Sequence, residues 1–214
     1  DKASEKAIIL DKITVSQIKE VLKLPAVVLL MVIILCAYVG YKITDIFSLY
    51  AQDVMLYDQV QSAQVGTFLL FIRPIIGVVI GILADRSQTT YWLLVSFVLS
   101  FFGALLFATG VISDSSTALF FISTLVVATG VYAARSLYFA VMERGKIPLV
   151  LTGTAVGLIS IVGYTPDIFA GPAMGYLLDA NSGATGHQYV FGILAIFSLI
   201  GGIAAWYYYK LYRK

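Results

Sequence analysis

An all-α membrane protein of six transmembrane helices, arranged as two inverted three-helix repeats, is the fold class this sequence predicts. Three observations carry the prediction. The 214-residue chain is 60% hydrophobic and 12% charged, whereas soluble domains average about 45–50% apolar and about 25% charged residues. Its apolar residues gather in six runs, each long enough for a bilayer core that takes ~20 residues of helix. The runs that carry internal charge follow the order charged, charged, uncharged, twice over.

Residues 1–24 are polar and lack the layout of a signal peptide. With no initiator Met ahead of them, they read as the end of a cytoplasmic loop in a chain cut from a longer protein. Thr14 and Gln17 have capping-box spacing. Ile18, Val21 and Leu22 form a stripe opposite Lys19, Glu20 and Lys23, which predicts a short amphipathic lead-in helix. The bundle then covers 25–214. Span one, about 25–50, contains "PAVVLLMVIILCAYVG", which does not alternate in polarity as a barrel strand would. Span two, about 62–84, carries Arg73 with Gly77 and Gly81 following at four-residue steps. Span three, about 90–112, has no internal charge; span four, about 117–142, holds Arg135. Span five, about 149–178, holds Asp167 between Pro166 and Pro172, and span six, about 188–210, is again uncharged.

Lys and Arg set the orientation. Lys2, Lys6, Lys12, Lys19 and Lys23 precede span one, Arg86 lies in the second connector, Arg144 and Lys146 in the fourth, and Lys210, Arg213 and Lys214 at the end. The first, third and fifth connectors carry none. Positive charge accumulates on cytoplasmic loops, so both termini are expected in the cytoplasm.

The other basic residues, Lys42, Arg73 and Arg135, lie inside spans, as do the acids Asp45 and Asp167. Insertion scales charge ~2.5–3.5 kcal/mol for such a residue at a helix centre, so each should face a cavity. Spans one, two, four and five therefore read as cavity-lining, and three and six as peripheral. Lys42 and Asp45, three residues apart, can pair on one helical face and neutralise each other. Arg73 and Arg135 have no acid in reach on their own helices. Each needs a partner from another helix, a backbone carbonyl, water or an anion. A guanidinium matches carboxylate or phosphate bidentately, which makes Lys42, Arg73 and Arg135, with Tyr38, the candidate substrate-binding residues; interhelical ion pairing is the alternative. Asp45 and Asp167 are candidates for ion coupling or gating. Each proline of span five removes a backbone donor, so a broken helix beside a carboxylate is expected there, with a simple kink as the other reading. Thr152, Thr154, Ser160 and Tyr164 on that span read as packing groups first and ligands second. Gly77 and Gly81, Gly153 and Gly157, and Gly171 and Gly175 are small-residue pairs that permit close helix approach.

The connector "GILADRSQTT" adds a motif. Gly81-x-x-x-Asp85-Arg86, between the second and third spans of a six-helix unit, resembles the loop motif of the major facilitator superfamily. Gln88, Thr89 and Thr90 depart where that motif has a Gly and basic residues. "GYKITDIFSLYA", "ARSLYFAVMERGKIP" and "LTGTAVGLISIVGYTPDIFAGPAMGYLLD" are similar to the C-terminal half of bacterial small-solute and organic-anion members. The resemblance implies spans seven to twelve of such a transporter, in a bacterial cytoplasmic (inner) membrane, with the N-terminal six-helix half as partner. It implies for Asp85 and Arg86 a role in gating, as a latch on a helix end of that other half.

The expectation is then half of a secondary active transporter that moves a small solute, an organic anion, by alternating access. A neutral solute such as a sugar, with the intramembrane charges serving as gating or proton-coupling pairs, is the alternative; a channel or a transporter-like sensor is weaker. Catalysis would need a nucleophile with a base, or metal ligands. The chain has one Cys, Cys36, and one His, His187, which reads as solvated in an extracytoplasmic connector. Neither an enzyme nor a metal site is expected, nor any cofactor beyond a coupling proton or sodium ion. The expected partners are the lipid bilayer, the N-terminal half and a small-molecule substrate, with no nucleic acid.

Overall fold

The computed structural model describes residues 15–212, and all regular structure in them is helical. Among the described residues six spans are long and apolar enough to cross a membrane. Span one is α2 (Pro25–Ile43) and α3 (Phe47–Asp53), joined by a 3₁₀ turn at Thr44–Ile46; span two is α4 (Gln59–Asp85). Spans three and four are α5 (Thr89–Ala108) and α6 (Thr117–Leu137), span five is α7 (Leu149–Gly163) followed by α8 (Pro166–Ala180), and span six is α9 (Ala184–Tyr212). The lead-in helix is α1 (Val15–Leu22). Of its apolar stripe Val21 is fully buried, while Leu22 stays exposed. The Thr14 cap falls outside the described residues, as do Lys2, Lys6, Lys12, Arg213 and Lys214.

Local chemistry explains several boundaries. Pro25 opens α2 and Pro166 opens α8, where the missing N–H is no loss. Asp58 and Gln61 form a capping box ahead of α4, with the Gln61 amide donating to the Asp58 carboxylate at 2.8 Å and the Asp58 amide to Gln61 Oε1 at 3.2 Å. Span five is interrupted at Tyr164–Thr165, as the prolines predict, but Pro172 stays inside an unbroken α8. Span one also breaks, which no proline announces. At both breaks a threonine closes the preceding helix: Thr44 Oγ1 donates to the Tyr41 carbonyl and Thr165 Oγ1 to the Val162 carbonyl, each at 2.7 Å.

Helix α2 is the hub, packed against α6, α7, α8 and α9, while α5 packs on α6 and α9 and α4 lies against α6 and α3. Gly130 lets α6 approach α5 backbone to backbone: a Cβ there would sit 2.6 Å from the Ser96 carbonyl oxygen. The small-residue pairs read from the sequence do not serve this role. A Cβ on Gly77 would meet only Ser136 Oγ, at 3.2 Å, and on Gly81, Gly153, Gly157, Gly171 or Gly175 it would meet nothing within 4 Å. Those rows lie on open faces of α4, α7 and α8.

His187 is a second departure. It is not a solvated loop residue: α9 begins three residues earlier and the imidazole is fully buried. Its Nε2 lies 2.9 Å from Asp53 Oδ2, and its ring packs edge-on against Tyr50 with centroids 5.2 Å apart. The pair ties the end of span one to the start of span six. A short connector looks polar by composition, yet here helix α9 extends through it and carries the histidine inside.

Candidate functional site

The intramembrane charges converge on a cluster of tyrosines. Tyr38, Tyr41 and Lys42 come from the last turns of α2, Arg73 from the middle of α4, Tyr132 and Arg135 from the end of α6, with Tyr138 just beyond it, and Tyr164 and Asp167 from the two sides of the span-five break. Spans three and six contribute none of these residues. Arg73, Arg135, Tyr132, Ser136, Tyr138, Phe139 and Tyr164 line a cavity of about 310 Å³, at the small end of the range for small-molecule pockets.

Tyr41 stands between the two arginines. Arg73 donates a 2.7 Å hydrogen bond to the Tyr41 hydroxyl, and its guanidinium carbon lies 4.7 Å from that ring's centroid and 6.0 Å from the centroid of Tyr132. The Arg135 guanidinium lies 4.0 Å from the Tyr41 centroid and 5.0 Å from that of Tyr38. These are cation–π distances. Arg135 also makes a long contact, 3.4 Å, to the Tyr138 hydroxyl, which is 3.3 Å from that of Tyr164. Among the described residues neither guanidinium has a carboxylate within 4.0 Å. Within these residues no acid from another helix pairs with either arginine.

Lys42 is paired, but not with Asp45. Its Nζ lies 3.4 Å from Asp167 Oδ1, across from α2 to α8. The Tyr38 hydroxyl donates to the same carboxylate, 2.9 Å from Oδ2 and 3.1 Å from Oδ1. Asp45 lies in the 3₁₀ turn after Ile43, and the Lys42 ammonium reaches across to α8 instead. Asp45 is exposed, with no hydrogen bond or ion pair among the described residues; Lys42 and Arg73 are the positive charges that act on it. Asp85 and Arg86 do not join the cluster. They end α4 about 18 Å along the helix from Arg73, exposed and without side-chain partners among the described residues. Nearby, the Trp92 indole donates to Ser87 Oγ at 2.7 Å and orders the connector they belong to.

Tyr41, Tyr132 and Tyr138 were not legible as site residues, and Tyr164 read as packing. A signal existed: Tyr41 adjoins Lys42, and Tyr132 and Tyr138 lie three residues to either side of Arg135, the spacing that puts side chains on one helical face.

Comparison with known proteins agrees with a membrane location. Over 75 residues, 35% of the chain, it is 39% identical to inner membrane protein YihN of Escherichia coli (strain K12). Over 57 residues, 27% of the chain, it is 35% identical to inner membrane protein YqcE of the same organism. The matched segments span 18% and 13% of those relatives' lengths. No family model and no solved structure matches the chain. Six apolar spans among the described residues and relatives in the inner membrane define an integral membrane protein.

Proposed function

We propose that the chain is the C-terminal six-helix half of a secondary transporter of the major facilitator type, which moves a small organic anion across the inner membrane by alternating access. The observation that carries this reading is the pair of guanidinium groups held on tyrosine faces, with no carboxylate within 4.0 Å among the described residues. Two such charges beside a polar cavity favour an anion, which each can bind through parallel N–H donors. The N-terminal half is the expected partner. The open rows at Gly81, Gly153, Gly157, Gly171 and Gly175 support it, since they leave backbone accessible to another helix on two spans that contribute to the site. In that assembly both termini are cytoplasmic, and Asp85 and Arg86 meet a helix end of the other half as a gate.

A second reading, a neutral solute with ion pairs acting only as gates, is favoured by one feature, the Lys42–Asp167 pair. The two readings separate on the arginines. Uptake by the full-length protein in proteoliposomes is expected to lose about tenfold or more in kcat/KM on Arg73→Ala or Arg135→Ala, the worth of one charge-assisted hydrogen bond, with Arg73→Lys intermediate. Wild-type KM and rate in all three variants would falsify the anion site.

A further inference from the structure

Helices α4 and α5 leave a groove open between them. Both pack on α6, but they touch each other little. Ile72, Ile75, Ile76, Val79, Ile80 and Leu83 of α4 form one wall, Trp92 and Leu99 stand on α5, and Thr129 and Ala133 of α6 also line it. The groove holds about 270 Å³ and none of its lining residues is charged. The Ser96 hydroxyl within it is already spent, donating to the Trp92 carbonyl at 2.6 Å. Ile76 and Ile80 are buried, whereas Ile75 and Val79 are exposed, so the recess opens sideways from α4. Among lipid tails no hydrophobic force draws two helices together. Lining atoms that face a void lose their dispersion contacts outright, so the groove gains from an apolar occupant.

We propose that this groove is a binding site for an acyl chain of an anionic phospholipid, whose phosphate meets Arg86 at the membrane surface. The dimensions fit one leaflet. From Ile72 to Leu83 the groove runs about 16 Å along α4, close to the ~15 Å depth of half a bilayer's hydrocarbon core. Its outer end lies where α4 stops. There Trp92, a residue type enriched at the membrane surface, fixes its indole by donating to Ser87 Oγ at 2.7 Å. Arg86 immediately precedes Ser87, is exposed and has no side-chain partner among the described residues. A guanidinium at that level matches a phosphate through parallel N–H donors.

Helical register separates this groove from the face proposed for the N-terminal half. At about 100° per residue, the wall residues of α4 centre about 150° around the helix from the Gly77–Gly81 row. A helix seated on that row therefore leaves the groove to lipid. Arg86 keeps right-handed helical backbone, with φ −80° and ψ −9°, and falls within about 50° of the groove's centre. Asp85 falls about 150° from it, on the glycine side. Within the gate proposed above, Asp85 then faces the other half and Arg86 the lipid. The groove between α5 and α9 also contains a tryptophan, Trp206, but the Lys210 ammonium there is held over that indole, 4.6 Å from its centroid, so its charge is already placed.

The site stands apart from the transport reading and is tested by binding alone. The full-length protein in detergent is titrated with phosphatidylglycerol or phosphatidylcholine of the same acyl chains, and the tightest-bound lipid is followed by native mass spectrometry. The wild type should hold phosphatidylglycerol several-fold more tightly than the zwitterionic lipid. Arg86→Gln should weaken phosphatidylglycerol about tenfold, the worth of one charge-assisted hydrogen bond, and erase the preference. Val79→Trp, which fills the groove from its exposed wall, should abolish retention of both lipids, while Ile203→Trp, the same change in the α5–α9 groove, should not. Should Val79→Trp fail to fold, Arg86→Gln decides. Equal affinity of the wild type for the two lipids overturns the site. So does undiminished retention in Arg86→Gln and Val79→Trp, the result expected if the N-terminal half fills the groove. Equal losses in Val79→Trp and Ile203→Trp would reveal an unselective lipid coat and overturn it as well.

Discussion

Tyr41 offers the sharpest test of how the site holds its charges, because one side chain serves both arginines by different means. Its hydroxyl accepts from Arg73 at 2.7 Å, and its ring face carries Arg135 at 4.0 Å. Tyr41→Phe removes the first and keeps the second; Tyr41→Leu removes both. A hydrogen bond from a charged donor contributes about 1.5–3 kcal/mol, and a cation–π contact about 0.5–2 kcal/mol. Most of that holds the arginines in place in the empty site. What reaches the ligand is the preorganisation, about 0.5–1.5 kcal/mol for each side chain no longer held. At 1.4 kcal/mol per factor of ten, Tyr41→Phe should raise KM for the anion proposed above by about two- to tenfold, and Tyr41→Leu by roughly the square of that factor. The assay is initial-rate uptake by proteoliposomes, with circular dichroism to confirm retained helix. Equal KM values for the phenylalanine and leucine variants would refute the division of labour. Wild-type KM in both would show that Tyr41 does not position the arginines for binding.

Two further predictions concern the fold. Gly130→Ala places a Cβ against the backbone of α5, an overpacking that costs about 1–3 kcal/mol; thermal unfolding should shift down by several degrees. Exposure of Cys36, buried and the single cysteine of the chain, provides the reporter, and an unchanged midpoint would mean that α5 and α6 are farther apart than described. His187→Ala empties a fully buried position and leaves Asp53 without its partner, at an expected cost of about 2–4 kcal/mol. The same measurement should show a clear drop, and a stability equal to wild type would place His187 in solvent after all.

The parts of the fold that the sequence announces are those written in composition and period. Six runs of apolar residues become six spans, because backbone groups in lipid must be paired within each segment. The break near Pro166 was legible because proline has no donor to give. The break at Thr44–Ile46 was not, since its residues also suit continuous helix and the deciding bond, Thr44 Oγ1 to the Tyr41 carbonyl, is a local alternative that composition does not reveal. The Lys42–Asp45 spacing did not decide the pairing, because the ammonium has a second acid in reach on α8. Long-range partners were harder still. Asp167 lies 125 positions from Lys42, Asp53 134 from His187, and nothing in either segment alone marks the other. The small-residue pairs misled for the opposite reason: spacing identifies a face that tolerates close approach, not the chain that approaches it.

The choice of tyrosine over carboxylate around Arg73 and Arg135 has a functional logic. A guanidinium bonded to an aspartate is neutralised, and a ligand must break that pair before it gains anything. A guanidinium on a ring face keeps its full charge and its outward N–H donors, because the attraction uses the ring quadrupole and leaves no counter-charge behind. The ring contact is weaker than an ion pair at low dielectric, so the arrangement is stable only if the site is wet or occupied. That condition fits a cavity which opens to water in turn on either side. Lys42 follows the other rule, neutralised by Asp167 at 3.4 Å. The cluster thus carries two cations on ring faces and one in an ion pair.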